Sequence, residues 1–155
     1  MHEDSYNTMK RLVGEHADGC TTVLDVGSYD VNGTYRDIFL PPWKYTGCDV
    51  SSGPNVDLVM ENEYSVPAPE QAFDLVICGN TLEHIRNPFI AMQEMARLTS
   101  KLLIIGAPFI HPEHRYPLDC WRFLPDGMRE LARHVRFQCV DAFRYNNDTY
   151  LVARR

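Results

Sequence analysis

Residues 23–33 read VLDVGSYDVNG. An apolar run reaches Asp25, Gly27 stands just beyond it, and Tyr29 occupies the place where a nucleotide-binding loop usually has its second glycine. A glycine after a buried strand lets the backbone turn sharply and present its amides to a ligand, while Asp25 puts a carboxylate at the strand's end. The stretch reads either as a cofactor loop with an unusual middle or as a tight turn between strand and helix.

The runs on either side favour the end of a first strand in an α/β sheet. TTVLDVG (21–27), KYTGCDV (44–50), NVDLVM (55–60), FDLVICG (73–79) and KLLIIGAPF (101–109) are short, rich in Val, Ile and Leu, and bounded by turn formers, as buried parallel strands are. In NPFIAMQEMARLTS (87–100) the apolar positions recur at helical spacing with Pro88 near the start. Helical patterns also fit residues 3–16 and PDGMRELARHV (125–135), and a short one fits GTYRDIFL (33–40) before Pro41 and Pro42. VRFQCVDAF (135–143) and TYLVARR (149–155) flank the turn cluster of RYNNDT (144–149) and read as an antiparallel hairpin. SSGPN (51–55) and ENEYSVPAPEQA (61–72) are too short or too Pro-rich for a full crossover helix. The expected fold is a doubly wound, mostly parallel seven-stranded sheet ending in an antiparallel hairpin, trimmed of one or two crossover helices, with residues 1–155 forming one domain.

At 155 residues and 45% hydrophobic, the chain has the length to bury one substantial core. It has no uninterrupted apolar run of membrane-spanning length, and its first ten residues, MHEDSYNTMK, are polar, so neither export nor membrane insertion is expected. The five cysteines are odd in number, scattered and without a C-x-x-C pair, which fits free thiols in a reducing cytoplasm. A net charge of -6 disfavours nucleic acid as a partner and favours a small molecule. The charge is uneven: residues 1–100 are net -9 and residues 101–155 net +3, either a solvated face or a local site for an anionic substrate. A homodimer is compatible with the sequence.

Ligands of such sheets sit beyond the carboxyl ends of the strands, near the point where strand order reverses. Only Gly27 and Gly33 are available for a glycine-rich loop, so a pyrophosphate is disfavoured. Asp49, at the end of the second strand, offers two carboxylate oxygens that match the two adjacent hydroxyls of a ribose. Ribose without pyrophosphate suggests a nucleoside cofactor. Asp25 and Asp49 also have purely structural readings, as a turn cap and a polar strand end.

VLDVGSYDVNG, YTGCDVSSGPNVDLV, FDLVICGNTLEHIRNP and KLLIIGAPF together resemble the ordered motifs of class I S-adenosylmethionine-dependent methyltransferases of the type 11 group, from about residue 20 onward. The resemblance implies S-adenosyl-L-methionine as cofactor. Gly27 and its neighbour Ser28 would lie against the methionine part, and Asp25 would reach its ammonium. Asp49, followed by Val50, would take the ribose hydroxyls. Glu61, or Asn62 beside it, would flank the adenine. Asn80 would enclose the methionine end, with Leu82, Glu83 and His84 closing the floor of the pocket and His84 on the substrate side. Most members have glycine where Tyr29 stands; a tyrosine turned away from the cofactor keeps this a variant cofactor loop.

The long loop APFIHPEHRYPLDCWRFLPDG (107–127) is the expected substrate side. His111, and next His114, are candidate bases, and Tyr116, Trp121 and Arg122 candidate substrate contacts. Because the family often carries a similar D-x-W-R-F run, Trp121 and Arg122 also have a structural reading. His111, His114 and Cys120 with Asp119 offer zinc-type ligands, but no second paired motif completes a site, so no metal is expected. The expected activity is methyl transfer to oxygen or nitrogen of a small polar molecule. The competing reading is a non-catalytic nucleoside- or partner-binding module on the same fold.

Overall fold

The computed structural model describes residues 3–155. Among the described residues, helix α1 (Glu3–His16) and strand β1 (Thr22–Val26) come first, followed by β2 (Lys44–Asp49), β3 (Leu58–Val59) and β4 (Phe73–Gly79). Helix α2 (Pro88–Leu98), β5 (Thr99–Pro108), α3 (Pro125–His134) and the hairpin β6 (Gln138–Tyr145) and β7 (Asp148–Arg154) complete it. One seven-stranded sheet results, in the order β3-β2-β1-β4-β5-β7-β6. The first five strands in that order are parallel, and β7 runs antiparallel to both β5 and β6. This is the expected doubly wound sheet, and order reverses between β1 and β4.

Alternate residues of the central strands feed two cores. Leu75, Ile77, Leu102 and Ile104 pack with Met9, Leu12 and Val13 of α1. Val76, Cys78, Leu103 and Ile105 face Met92, Met95 and Leu98 of α2 and Met128 and Leu131 of α3. Each such fully buried aliphatic side chain contributes about 1.5–3 kcal/mol. Helix α2 starts where its sequence directs: Asn87 Oδ1 accepts hydrogen bonds from the amides of Phe89 and Ile90, and Pro88 supplies a first residue with no amide to satisfy.

The short helix expected at 33–40 is a single 3-10 turn, Arg36–Ile38. Tyr35 and Phe39 gave it a helical spacing, but both are pinned into the α1 core, and Asp30 and Thr34 spend their side chains on the amides of Gly33 and Arg36. The connections from β1 to β2, β2 to β3 and β3 to β4 therefore all run without an α-helix.

Candidate functional site

The strand ends at the order reversal open into a cleft of about 930 Å³. Its base is Gly27, at φ 80°, where a Cβ would lie 2.2 Å from Thr81 Oγ1; only glycine satisfies both the left-handed backbone and the close approach. Below it Asp25 is 2% exposed, and its Oδ2 accepts a 2.5 Å hydrogen bond from the Tyr45 hydroxyl. Burial pushes the Asp25 carboxyl up to about 7, against the opposing effect of that hydrogen bond.

Where a crossover helix is missing, a chain of side chains fixes the loop after β2. The Asn55 side-chain amide donates to Tyr45 Oη (3.0 Å) and to the Ser28 carbonyl (2.8 Å), and Ser28 Oγ donates to the Asn55 carbonyl (2.9 Å). Arg36 reaches Asn55 Oδ1 and Asp57 Oδ2, both at 2.6 Å, and its guanidinium lies 4.3 Å above the Tyr45 ring. Asp57 Oδ2 also accepts from the Gly47 amide at 2.8 Å.

Asp49 lines the cleft at the end of β2, with Oδ1 accepting from the Ser51 amide (2.9 Å) and Oδ2 facing the Tyr29 amide (3.4 Å). Tyr29 stays in the cleft wall instead of turning out of it. A Cβ on Gly53 would come within 2.3 Å of its ring, so the ring packs on the loop after β2, beside Asp49. That glycine gives the bulky residue its room.

Of the sequence-derived cofactor residues, Asp25, Gly27, Ser28, Asp49, Val50 and Asn80 line the cleft, and so do His84, His111, His114 and Tyr116 on the substrate side. Five others do not line it. Glu61 and Asn62 are exposed in a turn closed by Asn62 Oδ1 on the Tyr64 amide (2.8 Å), and Met60 and Glu63 take their place at the rim. The turn thus sends the residues on either side of the exposed Glu61–Asn62 pair toward the cleft. Leu82 is fully buried in the α2 core because the 3-10 turn Leu82–His84 points it under the sheet. The Trp121 indole donates to the Ile85 carbonyl (2.9 Å), and Arg122 clasps Asp119 with two hydrogen bonds (2.6 and 2.7 Å) and the carbonyls of His111 and Pro112, so both fasten the loop.

Sequence reasoning missed Tyr35, Met60, Glu63, Thr81, Ile85 and Arg115, which also line the cleft. Thr81 was visible in the NTLEH motif; Tyr35 was hidden by its helical spacing. On the substrate side three imidazoles form a row: His84 to His114 at 4.9 Å and His111 to His114 at 4.6 Å between ring centroids. His84 is driven below the usual imidazole range by burial. Asp119, held by Arg122, is well below the usual carboxylate range and accepts the His114 amide at 2.8 Å.

Solved structures share this architecture. A SAM-dependent methyltransferase from Aquifex aeolicus superposes with a TM-score of 0.71 at 16% identity, over 97% of this chain and 89% of that one. The 1,6-didemethyltoxoflavin-N1-methyltransferase of Burkholderia thailandensis, solved with 1,6-didemethyltoxoflavin and S-adenosylhomocysteine, gives 0.79 at 18% identity over 99% and 79%. The [4+2]-cyclase SpnF gives 0.71 at 19% over 96% and 80%, so the same fold also serves other chemistry. No protein of curated function matches the sequence. The profile of the family described as methyltransferase domain matches residues 24–102, half of the chain, from β1 to the first part of β5. The chain belongs to that family, among the class I S-adenosylmethionine-dependent methyltransferases.

Proposed function

We propose that the chain is a small, single-domain, cytoplasmic methyltransferase that moves a methyl group from S-adenosyl-L-methionine to oxygen or nitrogen of a small polar molecule. The observation that carries this reading is the placement of Asp25, Gly27 and Asp49 at the ends of two adjacent parallel strands around one cleft that continues, past Asn80, to a row of histidines. Asp25 and Asp49 fit a nucleoside bearing an ammonium group: one carboxylate is buried with a single hydroxyl partner, and the other stands at the rim with oxygens for ribose hydroxyls. No helix of the described residues is long and apolar enough to cross a membrane, and the five cysteines are free.

Bound there, the cofactor supplies a methyl group on an excellent leaving group. The protein's part is alignment of the nucleophile and removal of its proton. His111 lines the cleft and serves as the base; His114, next to it, is the second candidate, but its ring is turned toward Glu83 and Asp119. Tyr116 and Arg115 bound the same side, with the Arg115 guanidinium paired to Glu113 at 2.7 Å, a polar wall that suits a polar substrate. Calorimetry with S-adenosylmethionine, S-adenosylhomocysteine and NAD tests the cofactor assignment: the first two bind and NAD does not. NAD binding alone would refute it.

A second reading, a non-catalytic nucleoside- or partner-binding module, is favoured by Tyr29 in the cleft wall. Tyr29→Gly separates the two. On the methyltransferase reading its affinity for S-adenosylhomocysteine stays within about tenfold of wild type, roughly 1.4 kcal/mol. Binding that arises only in the variant would establish the module.

A further inference from the structure

Glu83 is fully buried, and both of its carboxylate oxygens lack a hydrogen-bond partner among the described residues. A carboxylate in that position is costly unless something satisfies it. Two imidazoles stand over it: His84 Nε2 at 3.5 Å and His114 Nε2 at 3.8 Å from Glu83 Oε1. The other nitrogen of each ring is already engaged with acceptors. His84 Nδ1 lies 2.5 Å from the Leu118 carbonyl, and His114 Nδ1 lies 3.1 Å from the Pro112 carbonyl and 3.5 Å from Asp119 Oδ2.

A carbonyl can only accept, so the ring proton of each neutral histidine belongs on Nδ1, and each Nε2 turns a lone pair toward Glu83. Three lone-pair atoms then converge with no donor between them. One proton on Glu83 can serve one imidazole and leaves the other opposed. A single cation serves all three.

We propose that Glu83, His84 and His114 bind a divalent first-row transition metal ion at the floor of the cleft. Two imidazoles and one carboxylate form a donor set that suits zinc or iron(II). The three ligand atoms lie within 4.8 Å of one another, while ligands about 2.0–2.1 Å from a tetrahedral ion are about 3.3 Å apart, so small side-chain rotations close the site. Nδ1–H contacts to carbonyls and to Asp119, itself clamped by Arg122, are the outer supports that metal-binding histidines need. The loop is also tied to the site through the backbone, by the Cys120 amide on the Glu83 carbonyl at 2.7 Å.

His84 and His114 line the cleft with Glu83 beneath them, so the remaining coordination positions open toward the substrate side. An ion held there would polarise a substrate hydroxyl or carbonyl and lower the pKa of a bound hydroxyl. The inference goes beyond the methyl-transfer reading and stands without it.

The test is titration of the chelator-treated full chain with cobalt(II), followed by visible absorption, competition with zinc and thermal melting. One equivalent binds, without a thiolate charge-transfer band, and raises the melting temperature. Glu83→Gln and His114→Ala each weaken the affinity at least about tenfold, and Asp119→Asn, a support rather than a ligand, weakens it about 10–100-fold. His114 is partly exposed, so its variant keeps the comparison valid if Glu83→Gln fails to fold. Absence of saturable binding at millimolar cobalt, unchanged affinity in His114→Ala, or a thiolate band from Cys120 would each overturn the proposal.

Discussion

Asp25→Asn keeps the shape of the cleft floor and removes its ability to ionise. Burial puts the Asp25 carboxyl at about 7, against 3.8 when exposed. Folding therefore takes up a proton between those two values; the resulting stabilisation is complete below about pH 4 and is lost as the pH rises through 7. The gap corresponds to about 4 kcal/mol at about 1.36 kcal/mol per pH unit. Roughly 3 kcal/mol of it falls between pH 5 and 8, which at about 2–4 °C per kcal/mol for a chain of this length is a drop of about 6–12 °C in melting temperature. Asparagine cannot titrate, and its carbonyl still accepts from Tyr45. Glu83, pushed by burial up to about 8, adds a slope of the same sign to both proteins and cancels in the comparison. Urea or thermal unfolding of wild type and variant, without ligand, at pH 5, 6, 7 and 8 reads the difference directly. Parallel curves across that range would refute the assignment of a shifted pKa to Asp25.

The other predictions use the same cleft. Asp49→Ala weakens S-adenosylhomocysteine binding by about 1–3 kcal/mol, the scale of hydrogen bonds to a charged group, with melting temperature retained; unchanged affinity by calorimetry would remove Asp49 from the cofactor site. His111→Ala lowers methyl transfer to the true substrate by about a hundredfold or more and leaves cofactor affinity intact, so full turnover in steady-state assays would move this histidine out of the chemistry. Gly27→Ala costs about 2–4 kcal/mol of stability, the sum of a left-handed alanine and a Cβ driven into Thr81; a denaturation midpoint equal to wild type would contradict the strain argument.

The sheet was legible because its strands are buried on both faces and so appear as short apolar runs, with Val23–Val26 and Leu102–Ala107 the clearest. Helix α2 announced itself through Asn87 and Pro88. Residues 33–40 did not, because tertiary burial of Tyr35 and Phe39 imitates helical periodicity. At the site, the convergence of Asp25, Gly27 and Asp49 on one cleft was readable because strand ends fix where they point. Glu61 and Asn62 were misplaced by one or two residues, since nothing in ENEYS tells which side chains a tight turn sends inward. Glu83 was read as part of the pocket floor, but that it lies buried without a partner, with two imidazole nitrogens aimed at it, depends on a loop that returns more than thirty residues later. The lock of Arg122 on Asp119 arises in the same way, from the loop's path around Glu83.

The two banks of the cleft are built from different materials. The β1–β4–β5 bank rests on both cores, whereas residues 50–72 opposite it contain only two buried apolar side chains, Met60 and Val66, and hold their course largely through polar links, those of Arg36, Asn55, Asp57 and Tyr45 in the first part and those of Glu94 and Arg97 of α2 to the Val66–Ala68 backbone in the second. A helix opens cooperatively, turn by turn; a string of individual polar contacts can be released one link at a time and is weakened by salt and denaturant before any hydrophobic layer is breached. Amide exchange should therefore split along this line, with Leu75–Cys78 and Leu102–Ile105 exchanging only on global unfolding and the 50–72 bank through local excursions. A nucleoside that binds between the banks would then slow exchange chiefly on the second of them, and would act as a structural member of the loop as well as a reagent.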